Sequence, residues 1–307
     1  MPKSEKSSTN PDKHGVVETI YLEFLKKIED ESFCTLDDVI KLIRMLQKYE
    51  FDCHISIVGQ NGIGKSHVLL MLQKKLLGAS FIDNVFMADK TTNDIIDFLL
   101  TNEDTGLGID ELSLYFGYKQ HATKEQNHLI TMIELARSKK IAIIGCARDP
   151  RKLTYNYRNG KVNIVIWVPD RFMEGGSYAA VFVANPVVES DDRFGFGVLT
   201  GGIVSFDELR ELFEHYVPSF RGYMRIPDTK TVLTPEEIAL YKQRKDKAMA
   251  YAQVNYLAKQ LKKKTITNEE VQKHLKVLSR TIPLQEIMDM FPRKTLTADM
   301  DEQQERL

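Results

Sequence analysis

The 307-residue sequence has little with which to staple or anchor a fold. Its three cysteines, Cys34, Cys53 and Cys146, are odd in number, far apart and without a C-x-x-C pair. That excludes a disulfide framework and a zinc knuckle, and makes a reducing compartment the default. No apolar run is long enough to cross a bilayer, and the opening MPKSEKSSTNPDKHG is polar rather than a charged head followed by an apolar signal segment. The expectation is a cytoplasmic protein (host cytoplasm if viral) with a flexible N-terminal tail and no membrane partner. A formal net charge of -1 leaves no global polyelectrolyte character, so any basic surface must be local. The seven histidines form no H-E-x-x-H or other metal spacing, and His121 and His128 stand seven apart in a polar segment. With 43% hydrophobic and 28% charged residues, the chain has what a large soluble core needs.

Apolar residues at three- and four-residue spacing in VVETIYLEFLKKIEDE and TLDDVIKLIRMLQKYE predict two amphipathic helices. From His54 the pattern turns to short apolar runs, HISIV, NVFMA, GLGID, KIAIIGCA and NIVIWV, separated by helical segments. This alternation predicts an α/β core with a mostly parallel, covered sheet. YAAVFVANPVV and FGFGVLTGGIV predict a β-hairpin added at the sheet edge, and SFDELRELFEHY a helix capped by Ser205 with Glu208. A long helix is expected from the Thr234 cap, followed by shorter ones in TNEEVQKHLKVLSRT and PLQEIMDMF. The expected division is a tail and helical extension over 1–48, a core over 49–233 and a basic helical region over 234–307.

Gly59, Gln60, Asn61, Gly62, Ile63, Gly64, Lys65 and Ser66 spell G-x-x-x-x-G-K-S between an apolar strand and the helical run starting at His67. Glycines let backbone N–H groups turn inward around phosphate, and the following helix offers its positive dipole end. Lys65 is expected to reach the β- and γ-phosphates of ATP, and Ser66 to give its hydroxyl to Mg²⁺, the only metal the sequence supports. A glycine-rich turn without a ligand is the bland alternative.

GLGIDEL supplies the acidic partner. Asp110 ends an apolar run and would hold Mg²⁺ through water; Glu111 would polarise the attacking water as general base. Such a base suits ATPases with an additional strand between the two motifs, for which NVFMADK and the helix TNDIIDFLL are the candidates. Alternatively Asp110 and Glu111 merely cap a helix beginning at Leu112, or Asp89 is the metal carboxylate.

Arg137, Lys139, Lys140, Arg148, Arg151, Lys152 and Arg158 gather around the strand IAIIGCA. Arg137 and Arg148 lead as residues that neutralise transition-state charge; a solvated basic face is the alternative. Where a polar γ-phosphate sensor is expected, Cys146 and Ala147 stand instead, leaving that task to Arg148. Cys146, within an apolar run, reads as core.

The order of these motifs, P-loop, IDELSLYF, KQHATKEQNH, LARSKK, IAIIGCA, RDPRKLTYNYRN and VNIVIWV, resembles the HerA/FtsK-like branch of P-loop ATPases. Viral DNA-packaging and zonula occludens toxin-like proteins are the nearest in character. The resemblance covers roughly residues 50–172. It implies an ATP-driven homo-oligomeric motor on double-stranded DNA, with Lys65, Ser66, Asp110 and Glu111 in the site and Arg137 or Arg158 acting in trans.

Lys242, Arg244, Lys245, Lys247, Lys259, Lys262, Lys263 and Lys264 crowd the long C-terminal helix, where they suit phosphate backbones or simply solvation. Tyr155, Tyr157 and Trp167 are candidates for base stacking or for packing. The rival to a DNA motor is an ATP-dependent switch or loader that binds a protein partner through the C-terminal helices.

Overall fold

Five consecutive buried residues, His54–Val58 (β2), lie at the centre of an eight-stranded sheet in the computed structural model of the protein. The structure describes residues 33–117, 124–149, 153–154, 156–157, 161–168, 177–183, 220–263, 266–279, 281–283 and 286–287. The other strands are β1 (Phe33–Cys34), β3 (Val85–Phe86), β4 (Gly106–Ile109), β5 (Ala142–Ala147), β6 (Ile164–Trp167), β7 (Ser177–Val183) and β8 (Phe220–Ile226). Their order is β1-β8-β7-β6-β2-β5-β4-β3. β2 runs parallel to β5 and β6, and β4 runs parallel to β5. Strands covered on both faces need apolar side chains at every position, which is why these segments read as unbroken apolar runs.

Two expectations are corrected by the strand order. The strand that separates the P-loop strand from the Asp110 strand is β5, which follows both in sequence; NVFMADK forms only the two-residue β3 at the far edge, beyond β4. Sequence order does not give sheet order when the crossovers are helical. The antiparallel addition is not an edge either. β7 pairs antiparallel with β6 on one side and β8 on the other, and β1 adds parallel to β8 outside them. FGFGVLTGGIV, the helices expected at VVETIYLEFLKKIEDE and SFDELRELFEHY, and most of PLQEIMDMF lie outside the described residues.

The described chain divides into two compact units, Met1–Val85 with Thr92–Leu233, and Phe86–Thr91 with Thr234–Leu307. In the first, α1 (Leu36–Lys48) buries Leu36, Val39, Leu42, Ile43 and Leu46 along one face. Its start is fixed by a capping box in which Thr35 and Asp38 satisfy each other's backbone N–H. α2 (Lys65–Leu77) is different, with five consecutive residues, Val68, Leu69, Leu70, Met71 and Leu72, all buried, so its middle is covered on every side while Lys75 near its end is exposed. A 3₁₀ turn (Gly78–Asn84), α3 (Thr92–Thr101), α4 (Ser113–Phe116), α5 (Lys124–Ser138) and α6 (Thr229–Val232) complete this unit among the described residues.

In the second unit α7 (Pro235–Lys262) and α8 (Asn268–Leu278) pack Val254 and Leu257 against Val271, Leu275 and Leu278. Both helices start at a threonine whose hydroxyl accepts the N3 amide, with the N3 glutamate returning to the cap: Thr234 with Glu237 and Thr267 with Glu270. Proline at the first position of α7 costs no hydrogen bond there.

Candidate functional site

The loop between β2 and α2 owes its shape to three glycines. Gly59, Gly62 and Gly64 have φ of 145°, 84° and 100°, values that disfavour any side chain. At Gly59 there is also no room, since a Cβ there would lie 2.4 Å from the Val168 carbonyl oxygen and 2.3 Å from Ile63 Cδ1. Gly64 caps α2 in the left-handed conformation with no side-chain hydrogen bond, and the helix has no acidic residue in its first turn. Nothing in the helix's own sequence competes with an external anion for its positive end. Gln60 and Asn61 are exposed at the tip of the loop, while Ile63 and His67 are half-buried.

Lys65 is buried, and its Nζ donates to the carbonyls of Gly59 (2.8 Å) and Gln60 (2.7 Å), folding the cation over its own loop. Ser66 Oγ donates to Asp110 Oδ1 at 2.7 Å, so a hydroxyl and a carboxylate 44 residues apart in sequence meet at the start of α2. Two hard oxygen donors of this kind suit Mg²⁺, which takes its remaining ligands from phosphate and water. Among the described residues no group of three or more His, Cys, Asp or Glu side chains is gathered as an all-protein cage, so a cation shared with phosphate is what these residues fit.

Glu111 follows directly and is half-buried. Its Oε1 accepts from the Ser113 hydroxyl and, at 3.4 Å, from the Ser113 amide, so the carboxylate does engage the first residue of α4 in the manner of a cap. Ser113 was not among the residues singled out from sequence; a serine two positions after an acidic pair was the available signal. Between them Leu112 is fully buried and its amide donates to the Cys146 carbonyl at 2.7 Å, tying the ends of β4 and β5 together.

The arginines separate by strand direction. Val58 pairs with Ala147, so Arg148 emerges exposed beside the start of the phosphate loop. Arg137, also exposed, ends α5 just ahead of β5 and therefore lies at the opposite edge of the parallel sheet. Arg158 is outside the described residues, as are Arg151, Lys152 and Tyr155. Asp89 is exposed. Cys146 is buried in β5, as its apolar surroundings predict.

Tyr157 is not free to stack on bases. Its ring is fully buried, parallel to Phe116 at 3.9 Å and edge-on to His54 at 6.0 Å. Trp167 is half-buried and tilted against Phe182 at 6.4 Å. At this end of β2, burial pushes the Cys53 thiol up to about 12, with Asp52 adding to it, and holds the His54 imidazole down at about 4. Burial also raises the Tyr157 phenol.

In strand order and loop conformation this is an α/β sheet with β5 inserted between the phosphate-loop strand and the acidic strand.

The core has a P-loop NTPase fold.

Among solved structures, the chain is similar to the genome packaging NTPase B204 from Sulfolobus turreted icosahedral virus 2 in complex with ATP-gammaS. The identity is 15% over 43% of this chain and 92% of that chain, with a TM-score of 0.28. The complex of the same NTPase with AMPPCP gives 15% identity, the same coverage and a TM-score of 0.30. The N-terminal domain of zonular occludens toxin from Neisseria meningitidis gives 16% identity over 54% of this chain and 99% of that chain, with a TM-score of 0.32. No protein-family model and no curated protein matches the chain.

No helix among the described residues is long and apolar enough to cross a membrane. On α7 and at its end, Lys242, Arg244, Lys247, Lys259 and Lys263 are exposed and Lys245 is half-buried. Lys247 lies 3.7 Å from Glu286.

Proposed function

We propose that the protein is a Mg²⁺-dependent ATPase that couples hydrolysis to movement or packaging of double-stranded DNA as a homo-oligomeric ring. The observation that carries the nucleotide part is the Ser66–Asp110 hydrogen bond at the uncapped start of α2, with Glu111 as the next residue. Loop N–H groups and the dipole of α2 hold the phosphates. Lys65 exchanges the Gly59 and Gln60 carbonyls for phosphate oxygens. Ser66 and Asp110 would hold Mg²⁺, which when bound would neutralise charge on the phosphates. Glu111 takes the proton of the attacking water. Arg148 sits at the same sheet edge as the loop and stabilises γ-phosphate charge in its own subunit. Arg137, at the opposite edge, serves a neighbour's site, and Arg158 is the second candidate for that role.

DNA as the cargo is supported by the motif order and by the exposed cations of α7. We further propose that the region from Thr234 acts as a distinct functional part, separate from the ATPase core and from the helical extension before it. A second reading, an ATP-dependent switch or loader that acts on a protein partner, is favoured by a groove of about 530 Å³ on α7 and α8, lined by Asp246, Met249, Gln253 and Leu278.

The test is steady-state ATP hydrolysis with and without duplex DNA at low and moderate salt, beside Glu111→Gln. Strong salt-sensitive stimulation supports the motor; turnover indifferent to duplex supports the switch. Glu111→Gln is expected to bind ATP without cleaving it, and normal turnover by that variant would remove the general-base assignment. Mixing Arg137→Ala with Lys65→Ala subunits should restore part of the activity if Arg137 acts in trans.

A further inference from the structure

The residues on both sides of Glu111 are held in place. Asp110 is bonded to Ser66, and Leu112 is held through its amide on Cys146 and through its side chain. That side chain fills the space over Gly145, where a Cβ would lie 2.5 Å from Leu112 Cδ2. What remains is the Glu111 side chain, whose three rotatable bonds must lose their freedom for the carboxylate to hold one orientation. Ser113 removes that freedom, because its hydroxyl and amide both donate to the same oxygen, Oε1.

We propose that Ser113 is the positioning residue for Glu111: it pins Oε1 so that Oε2 faces the attacking water in one orientation before nucleotide arrives. The inference rests on the general-base reading of Glu111. A base already aimed at its proton contributes through pre-organisation, since no reorientation is required at the moment of reaction. A hydroxyl that served only to start α4 would affect stability and leave turnover alone.

The test is Ser113→Ala and Ser113→Thr in the full chain. Loss of a hydrogen bond to a charged group corresponds to about a tenfold fall in kcat. Ser113→Ala is therefore expected to lose about tenfold in kcat, with KM for ATP and affinity for a fluorescent ADP at parental values; Ser113→Thr restores kcat. A second readout needs no nucleotide. In a double-mutant cycle of Tm with Glu111→Ala, the effect of Ser113→Ala should vanish once the carboxylate is gone. Parental kcat in Ser113→Ala, failure of threonine to rescue, or additive Tm changes would each overturn the proposal. Glu111→Gln separates the two levels: if it turns over normally the general-base reading itself is lost, whereas if it is inactive while Ser113→Ala is unaffected only the role of Ser113 is.

Discussion

The two ends of β2 are built for opposite purposes. At its N-terminal end, Cys53 and His54 are sealed, with the ring of Tyr157 against His54 and that of Phe116 against Tyr157. Titration there is suppressed: burial holds the thiol protonated and the imidazole neutral across the physiological range. At the C-terminal end the same strand runs into glycines at positive φ, an uncapped helix and half-buried polar side chains. One strand of five residues therefore joins a dry anchor to a polar loop. Packing is concentrated at one end, while the other begins a helix with no side-chain cap and no acidic residue in its first turn. The arginines fall on either side of this divide, Arg148 at the loop edge and Arg137 at the anchored edge.

The largest effect expected from breaking this contrast is at the loop end. Lys65→Ala should lower turnover about 10³-fold or abolish it, with nucleotide affinity falling in parallel, measured by hydrolysis and by titration with a fluorescent nucleotide. Retained affinity would mean that the lysine belongs to the packing of its own loop.

At the anchored end the expected effect is on stability and depends on pH. The folded His54 imidazole stays neutral down to about 4, while the unfolded chain takes up its proton near 6.5. The unfolded state thus binds more protons between these values. The contribution is complete above pH 6.5 and is lost as the pH falls to about 4, by about 3 kcal/mol in all. Urea denaturation at several pH values should show this slope in the parent and a flatter one in His54→Phe; equal slopes would mean that the imidazole is not sealed.

Arg148→Ala and Arg137→Ala sharpen the comparison between the two edges. Arg148→Ala should reduce turnover about 10²-fold in any assembly state. Arg137→Ala should matter only where subunits associate, so its loss should disappear on dilution below the association threshold. Identical behaviour of the two variants would erase the functional distinction between the edges.

The smallest effect concerns helix starts remote from the loop. Thr234→Ala removes a complete capping box and should cost about 1 kcal/mol in thermal unfolding, with nucleotide affinity unchanged. A change in affinity would show that the helical region from Thr234 is coupled to the site.

Much of the core was legible because a covered parallel sheet imposes unbroken apolar runs, and because a phosphate loop needs glycine, lysine and serine at fixed spacing. The Thr234 start of α7 was equally plain, since the cap chemistry is local; the matching start of α8 at Thr267 with Glu270 had the same local signal and was not singled out. What the sequence concealed was non-local. β1 is two residues long and pairs with a strand nearly 190 positions away, too short to show any periodicity. FRGYMRI, which forms β8, mixes two arginines and a glycine into a strand and so resembles a loop. NVFMADK was expected as the intervening strand, a place that IAIIGCA takes, because either segment satisfies that requirement until pairing is known. Asp110 and Glu111 could be named from their place after GLGI, and Ser66 from its place in the phosphate loop; that Ser66 donates directly to Asp110, and Ser113 to Glu111, follows from folding. The separation of Arg137 from Arg148 likewise emerges only when β5 is seen to run from one sheet edge to the other.

The contact at Gly59 has a directional meaning. Its α-carbon is pressed so closely to the Val168 carbonyl that even a methyl group has no space, and Val168 is itself bonded through its amide to the Val58 carbonyl at 2.9 Å. The end of β6 is thus a backstop for the phosphate loop. Val168 follows β6, which pairs parallel with β2 on one side and antiparallel with β7 on the other, so the first glycine of the loop rests against the seam between the parallel and antiparallel parts of the sheet.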